Sequence, residues 1–385
     1  MIKIAIVCKI MPIYRVGLFK KLSKSTGNFR FNIFGDIKSQ KGIQTISQAT
    51  VSESDLNQIN WTRTKNYFYK PDLLLWQTGI SRSIFKGEYK VYVFEGAISH
   101  IGVWFQSILC KIFRRKVIFW SHGDRGLDKG FKAFLRLVLF RFIGDGMFLY
   151  GKTQKDVMVK KGYDPNKLFV INNSLDFEKQ QLEYENFDVE LFNEITNKLS
   201  FLNKAFTILF MGRLVENKKV HEIVKAVGKL RNSGILINCI IIGEGPEKLK
   251  LQDLVSNLNL GEQFRFVGGI YDEKYVHQYF KIADLLVSPG NVGLNCIHSM
   301  AYGVPVLTHD NFIFQNPEVE VINDGVNGIL YAYNNFSDLV NKLEYWIKNR
   351  KKSRELSQIC ISSIKENYTP TYQANAMIEG VKKIL

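Results

Sequence analysis

Two basic residues, Arg213 and Lys218, stand five positions apart in FMGRLVENKKV, directly after an apolar run that ends at Met211. A strand that stops at Gly212 delivers Arg213 at its tip. Lys218 follows near the start of the next helix, where first-turn N–H groups have no intrahelical acceptor. Two cations and a set of N–H donors aimed at one spot suit a diphosphate. Charge-assisted hydrogen bonds contribute about 1.5–3 kcal/mol each, so such a pair can dominate phosphate binding. The spacing alone equally fits an exposed lysine at a helix start. IIGEGPEKLKL, residues 241–251, repeats the architecture, with Gly243 and Gly245 at the turn and Pro246 at a first helical position. Those glycines either admit a ligand close to the backbone or simply make a tight turn. SPGNVGLNCIHSMAYGVPVL, residues 288–307, does so again. Gly290 and Asn291 turn the chain, and a helix from near Gly293 presents the N–H groups of Gly293, Leu294 and Asn295 before carrying a lone His298. Its positive end contributes about 0.3–1 kcal/mol toward an anion when exposed, and up to about 2 kcal/mol when partly buried.

Loops of this kind need strands to hold them. The first half alternates apolar runs (IKIAIVC, FRFNIFG, DLLLW, YKVYVFEG, KVIFWSHG, GMFLYGK) with helical patterns, which predicts a parallel sheet covered on both faces. A charged segment, SLDFEKQQLEYENFD, then a helix and FLNKAF, reads as an irregular connector. The alternation restarts with FTILFMGRL, LINCIIIGEG, FRFVGGI, LLVSPG and GVPVLTHD. The class is therefore α/β, with two doubly wound Rossmann-like domains at 1–195 and 196–365. A helix at 366–385 either packs back on the first domain or forms a tail. Ligands are expected outside the carboxyl ends of the strands, in a cleft between the two units.

At 385 residues, 46% hydrophobic and 13% aromatic, the chain exceeds one ordinary core and has the apolar content to build two. The net charge of +16 calls for nucleic acid, an anionic membrane surface or phosphorylated substrates, unless it is only a solvated lysine-rich surface. No nucleic-acid module is recognisable, and the phosphate-cradling turns suit a small ligand better. The five cysteines are scattered without any Cys-x-x-Cys spacing, which speaks against zinc or a disulfide framework and fits a reducing compartment. MIKIAIVCKI reads as a first core strand rather than a signal peptide, and no apolar run reaches spanning length. A cytoplasmic protein is expected. IGVWFQSILCKIFRRK and DKGFKAFLRLVLFRFIG are very apolar helical segments with basic residues on narrow faces. They read either as core helices with one wet edge or as helices lying in an anionic membrane surface.

In order and spacing, GRLVENK, IGEGPEKLKL, FVGGIYDEKYVHQYFKIADLLVSPG and GLNCIHSMAYGVPV resemble the nucleotide-binding half of retaining glycosyltransferases of family four (group 1), which have the GT-B fold. The resemblance runs from about Phe206 to Tyr331. MPIYRVGLFKKLSK, FWSHGDRG and YGKTQKDVMVKKGYDPNKLFVINNSLD support it more loosely in the first half. It implies an N-terminal acceptor domain, a C-terminal donor domain and a nucleoside diphosphate sugar donor, a UDP-sugar being favoured, with no metal and no cofactor. The phosphates would be held by Arg213, Lys218 and the helix start at Gly293 and Leu294, beside Gly212 and Gly243. The base would lie near Phe266, Val267 and Gly268. The cations would stabilise the departing diphosphate while the acceptor hydroxyl attacks the same sugar face.

Many members of that family carry two glutamates across the last turn and helix, one on sugar hydroxyls and one on ribose. Here those positions hold Gly290 and His298, beside Asn291. A ring nitrogen of His298 can bind a ribose hydroxyl, whereas Gly290 leaves the sugar one carboxylate short. Glu318 or Glu320, in NPEVEVINDGVNG, is either the replacement or an exposed loop acid. His122 matches the place of a histidine near the donor sugar and leaving phosphate. Arg15 falls where many relatives have a glycine-rich loop, and either contacts an acceptor phosphate or lies on the first helix. Glu95 is a strand-end candidate for an acceptor hydroxyl. The sequence thus points to a retaining glycosyltransferase acting on a glycan or lipid-linked glycan in cell-surface polysaccharide assembly (lipopolysaccharide or capsule). Peripheral contact with the inner face of the membrane is expected. A non-catalytic nucleotide-sugar binder on the same scaffold is the alternative.

Overall fold

The computed structural model describes residues 1–385 apart from 25, 26, 39–43, 47–50, 71, 72, 98, 124–129, 202–204 and 351, and leaves aside the side chains of 70, 73–75 and 131–133. Asp124, Arg125 and Gly126 of FWSHGDRG, Asp128 and Lys129 of the second apolar segment, and 202–204 of the connector lie outside the described residues. The chain divides into two compact units, Met1–Asp176 with Thr369–Leu385, and Phe177–Tyr368.

The first unit contains β1 (Ile2–Ile10), β2 (Phe29–Asp36), β3 (Trp61–Arg63), β4 (Asn66–Lys70), β5 (Leu73–Gln77), β6 (Val91–Glu95), β7 (Lys116–Ser121), β8 (Gly146–Leu149) and β9 (Leu168–Val170). Seven of these form one parallel sheet in the order β3-β2-β1-β6-β7-β8-β9. The DLLLW run does not join it: β5 pairs antiparallel with β4 in a separate hairpin. Alternation along the strands builds a layer on each face. Ile4, Ile6 and Cys8 pack with Phe19 and Leu22 of the helix Val16–Ser23, and with Met377 and Val381 of the last helix, Pro370–Ile384. Ala5 and Val7 face Ile80, Ile84, Val103 and Trp104 of the opposite layer. The last helix is tied down by Gln373, which accepts from Ser174 Oγ (2.7 Å) and donates to the Asn172 carbonyl (2.6 Å).

The second unit contains β10 (Phe206–Met211), β11 (Ile237–Ile242), β12 (Phe264–Gly268), β13 (Leu285–Ser288), β14 (Val306–His309) and β15 (Gly328–Tyr331), parallel in the order β12-β11-β10-β13-β14-β15. The segment expected to be an irregular connector is two helices, Phe177–Glu185 and Val189–Leu199, that belong to this unit. Asp188 caps the second by accepting from Leu191 N (2.9 Å) and pairs with Lys274 (3.0 Å), while Gln181 donates to the Ala301 carbonyl (2.8 Å). Their high charge masks the helical pattern, because the apolar stripe is narrow. All five cysteines are buried and free. No helix among the described residues is long and apolar enough to cross a membrane.

Candidate functional site

In the second unit the strand order reverses between β10 and β13, the place where a doubly wound sheet opens to a ligand. Strand ends there carry Gly212–Arg213, Gly243–Gly245, Gly268 and Pro289–Asn291. These loops pack backbone on backbone: Gly212 N donates to Ile242 O (2.9 Å), Gly243 N to Gly268 O (2.8 Å) and Leu214 N to Glu244 O (2.9 Å). A Cβ on Gly243 would sit 1.8 Å from the Gly212 carbonyl oxygen, so only glycine closes this layer. Val267, half-buried, is the penultimate residue of the neighbouring β12.

Lys218 reaches the predicted turn. It ends a 3₁₀ turn, Glu216–Lys218; its Nζ donates to the Asn291 carbonyl, and its own carbonyl accepts from Gly290 N (3.2 Å). Burial, and then the neighbouring charge of exposed Arg213, push the Lys218 amine down to about 8, with Glu318 opposing. Gly293 has φ +56°, and no described group accepts from the N–H groups of Gly293 and Leu294. The helix itself starts at Asn295, whose side chain donates back to the Met211 carbonyl. Arg213, Lys218, Gly290, Asn291, Gly293 and Leu294 thus form one constellation.

Two expectations about carboxylates meet the geometry here. A Cβ on Gly290 would fall 2.2 Å from Asn217 O and 2.8 Å from Lys218 Cα, so the backbone that carries Lys218 fills the space a side chain would need. Glu318 lies on the 3₁₀ turn Pro317–Val321 at 2% exposure, near enough to Lys218 to act on its charge, and is not an exposed loop acid; Glu320 on the same turn is half-buried. His298 does find a carboxylate, one that no sequence motif marks. Its Nε2 lies 2.9 Å from Glu273 Oε2, which also accepts from Tyr302 Oη (2.7 Å). Burial acts to raise the Glu273 carboxyl, but the charge and hydrogen bond of His298 and the Tyr302 hydroxyl outweigh it and hold it below the usual range.

The turn is braced from behind by residues without any motif. Buried Gln315 accepts from Val292 N (2.9 Å) and donates to Thr308 Oγ1 (2.7 Å), which donates to Ser288 O (2.7 Å). Tyr331 Oη donates to Pro289 O (2.6 Å).

In the first unit the order reverses between β1 and β6, and Arg15 and Glu95 meet there in an ion pair of 2.7 Å. Glu95 also accepts from Lys9 N (2.7 Å). Burial would raise its carboxyl; Arg15 and the Lys9 N–H reverse this and hold it low. Arg15 is buried, with its guanidinium 4.2 Å over Trp120 and donating to Tyr150 Oη (2.8 Å). The exposed His122 ring lies 4.7 Å from the Tyr150 ring, so Tyr150 links His122 to Arg15 and, through Arg15, to Glu95. His100 caps the next helix beside Glu95.

Parallel strands, glycine-lined strand ends and a cationic pair at the switch point of the second sheet together narrow the choice of family. Residues 192–361 match the family model of glycosyl transferases group 1. The fold is GT-B: the Anabaena Alr3699/HepE structure in complex with UDP has a TM-score of 0.73 at 15% identity, covering 99% of this chain and 100% of that one. A Rickettsia africae glycosyltransferase has a TM-score of 0.75 at 16% identity, covering 100% and 98%. In sequence, the chain is 26% identical over 158 residues to the alpha-monoglucosyldiacylglycerol synthase of Streptococcus pneumoniae, which is 40% of this chain and 34% of that enzyme. Such matches span about a third of the length of these curated relatives.

Proposed function

We propose that this protein transfers a sugar from a nucleoside diphosphate sugar, a UDP-sugar being favoured, to a glycan or lipid-linked glycan acceptor, with retention at the anomeric carbon. The observation that carries this reading is the Lys218 amine bound to the Asn291 carbonyl and close enough to Arg213 to feel its charge, on the turn that leads into Gly293 and Leu294. Cations and N–H donors fixed before the reaction stabilise charge that develops on a departing diphosphate. In the step, the bond from the anomeric carbon to the phosphate oxygen breaks and one to the acceptor oxygen forms on the same face. The acceptor proton passes to the leaving phosphate. Arg213 and Lys218 supply the positive charge, so the reaction is proposed to be metal-independent. Val267 and Gly268 border the base, and His298, oriented by Glu273, serves the ribose. Arg15, Glu95 and His122 form the acceptor-side cluster. The UDP in the HepE complex supports the choice of donor base, and the setting proposed is cell-surface polysaccharide assembly at the inner face of the membrane.

A thermal-shift panel of UDP, GDP, ADP and their sugars tests the donor, since a ligand bound only by the folded state raises its melting temperature. Release of sugar from the stabilising donor, lost in Arg213→Ala, is the expected result. Binding without any release from the wild-type protein would leave a binder rather than an enzyme.

A further inference from the structure

The helix Ile101–Ile112 of the first unit has two apolar faces, and only one is used by the core. Val103, Trp104 and Cys110 join the buried layer. On the opposite face Ile101, Phe105, Ile108 and Ile112 recur at helical spacing and are 46–66% exposed. The stripe is continuous with its surroundings, for Phe105 lies 5.7 Å from the Trp76 ring and exposed Phe113 stacks edge-on with exposed Phe85 at 5.1 Å. An apolar stripe this long is unusual on a surface that faces only water.

Charge identifies what covers it. No acidic residue occurs between Glu95 and Asp124, while Lys111, Arg114, Arg115 and Lys116 cluster at the far end of the helix, with Arg82 and Lys86 on the adjacent helix Ile80–Lys86. Among the described residues, the acids nearby are Glu88, which is exposed, and Asp145, which is engaged by Lys111 (2.9 Å) and Lys116 (3.7 Å). Apolar side chains bounded by cations match an anionic lipid surface. A second copy would instead bring its own net charge of +16 against the same basic edge.

We infer that the outer face of this helix is a docking surface for an anionic phospholipid bilayer. Phe105, Ile108 and Ile112 enter the interface and the basic cluster contacts the headgroups. The near end of the stripe starts at His100, beside Glu95, so docking brings the Arg15–Glu95 cluster to the lipid surface. The inference deepens the proposed function and rests on it for the role of that cluster, but its own test does not depend on sugar transfer.

The test is co-sedimentation of the full chain with vesicles of phosphatidylcholine alone, and of phosphatidylcholine with phosphatidylglycerol, at low and high salt. The expected result is binding to the anionic vesicles that weakens with salt, about tenfold weaker in Ile108→Asp and also weaker in Lys86→Glu/Arg114→Glu. The melting temperature and the UDP-induced shift should stay at wild-type values in these variants, which separates lost docking from lost folding. Three results would each overturn the inference: no binding of the wild-type chain to anionic vesicles, wild-type binding by Ile108→Asp, or a dimer in sedimentation velocity that Ile108→Asp dissociates. Loss of the UDP shift with docking intact would instead overturn the donor reading.

Discussion

On the proposed function, raising the pH through 8 should loosen the grip on the donor diphosphate, because the amine proposed to hold it titrates there. Burial, and then Arg213, bring Lys218 to about 8 from the ordinary 10.5. A diphosphate placed beside it favours the ammonium and returns its value upward, so binding and protonation are linked. With a ligand-free value near 8, the charged fraction falls from about ten elevenths at pH 7 to about one eleventh at pH 9. That is roughly tenfold in UDP affinity, or about 1.4 kcal/mol. Isothermal titration with UDP across this range, in two buffers of different ionisation enthalpy, reads both the affinity and the proton taken up. Lys218→Arg, permanently charged, should bind UDP with little dependence on pH. The ligand-free protein should respond with the opposite sign: the unfolded chain keeps this proton up to about 10.5 and the folded one only to about 8, so this residue makes stability rise across that window. A wild-type affinity that stays level from pH 7 to 9, or a Lys218→Arg curve with the wild-type slope, would refute the linkage.

Further outcomes follow from the same site. Gly290→Ala should cost about 1–3 kcal/mol in thermal unfolding, since the new methyl overlaps Asn217 O, and should weaken UDP binding by shifting Lys218; unchanged melting and binding would contradict the packing. Glu273→Ala removes the acceptor shared by His298 and Tyr302 and should destabilise by about 1–3 kcal/mol, while Glu273→Gln, which still offers an oxygen, should lose less. Donor turnover in the presence of EDTA should equal that in its absence; its abolition, restored by a divalent cation, would remove the proposal that Arg213 and Lys218 suffice.

What is legible in the chain and what is not divide along a physical line. Strand-to-helix turns announce themselves because glycine and a terminal cation are local signals, which is why the residue pattern alone places Gly212, Gly243 and Gly290 at strand ends and Lys218 just before the next helix. Glu273 escapes such reading, since it sits on another helix, and its pairing with His298 depends on how that helix packs. Gln315 and Thr308 brace the turn through hydrogen bonds that carry no spacing rule. Tyr150, too, links Arg15 and His122 only because β8 lies beside β7. Antiparallel β5 defeats the alternation argument because a short apolar run does not reveal its partner.

Gly290 and His298 stand in different physical surroundings. At 290 the side chain is excluded by backbone: the Asn217–Lys218 segment presses on the glycine, while the Lys218 amine donates to the adjacent Asn291 carbonyl. A carboxylate still acts on this amine, since buried Glu318 opposes the downward shift that burial and Arg213 impose on Lys218. At 298 a carboxylate comes from another helix, since Glu273 reaches His298 and orients its ring through Nε2. On the proposed reading, the site meets its donor with two cations and with a carboxylate that acts through His298. On that basis, recognition in this chain should rest on the diphosphate more than on the sugar.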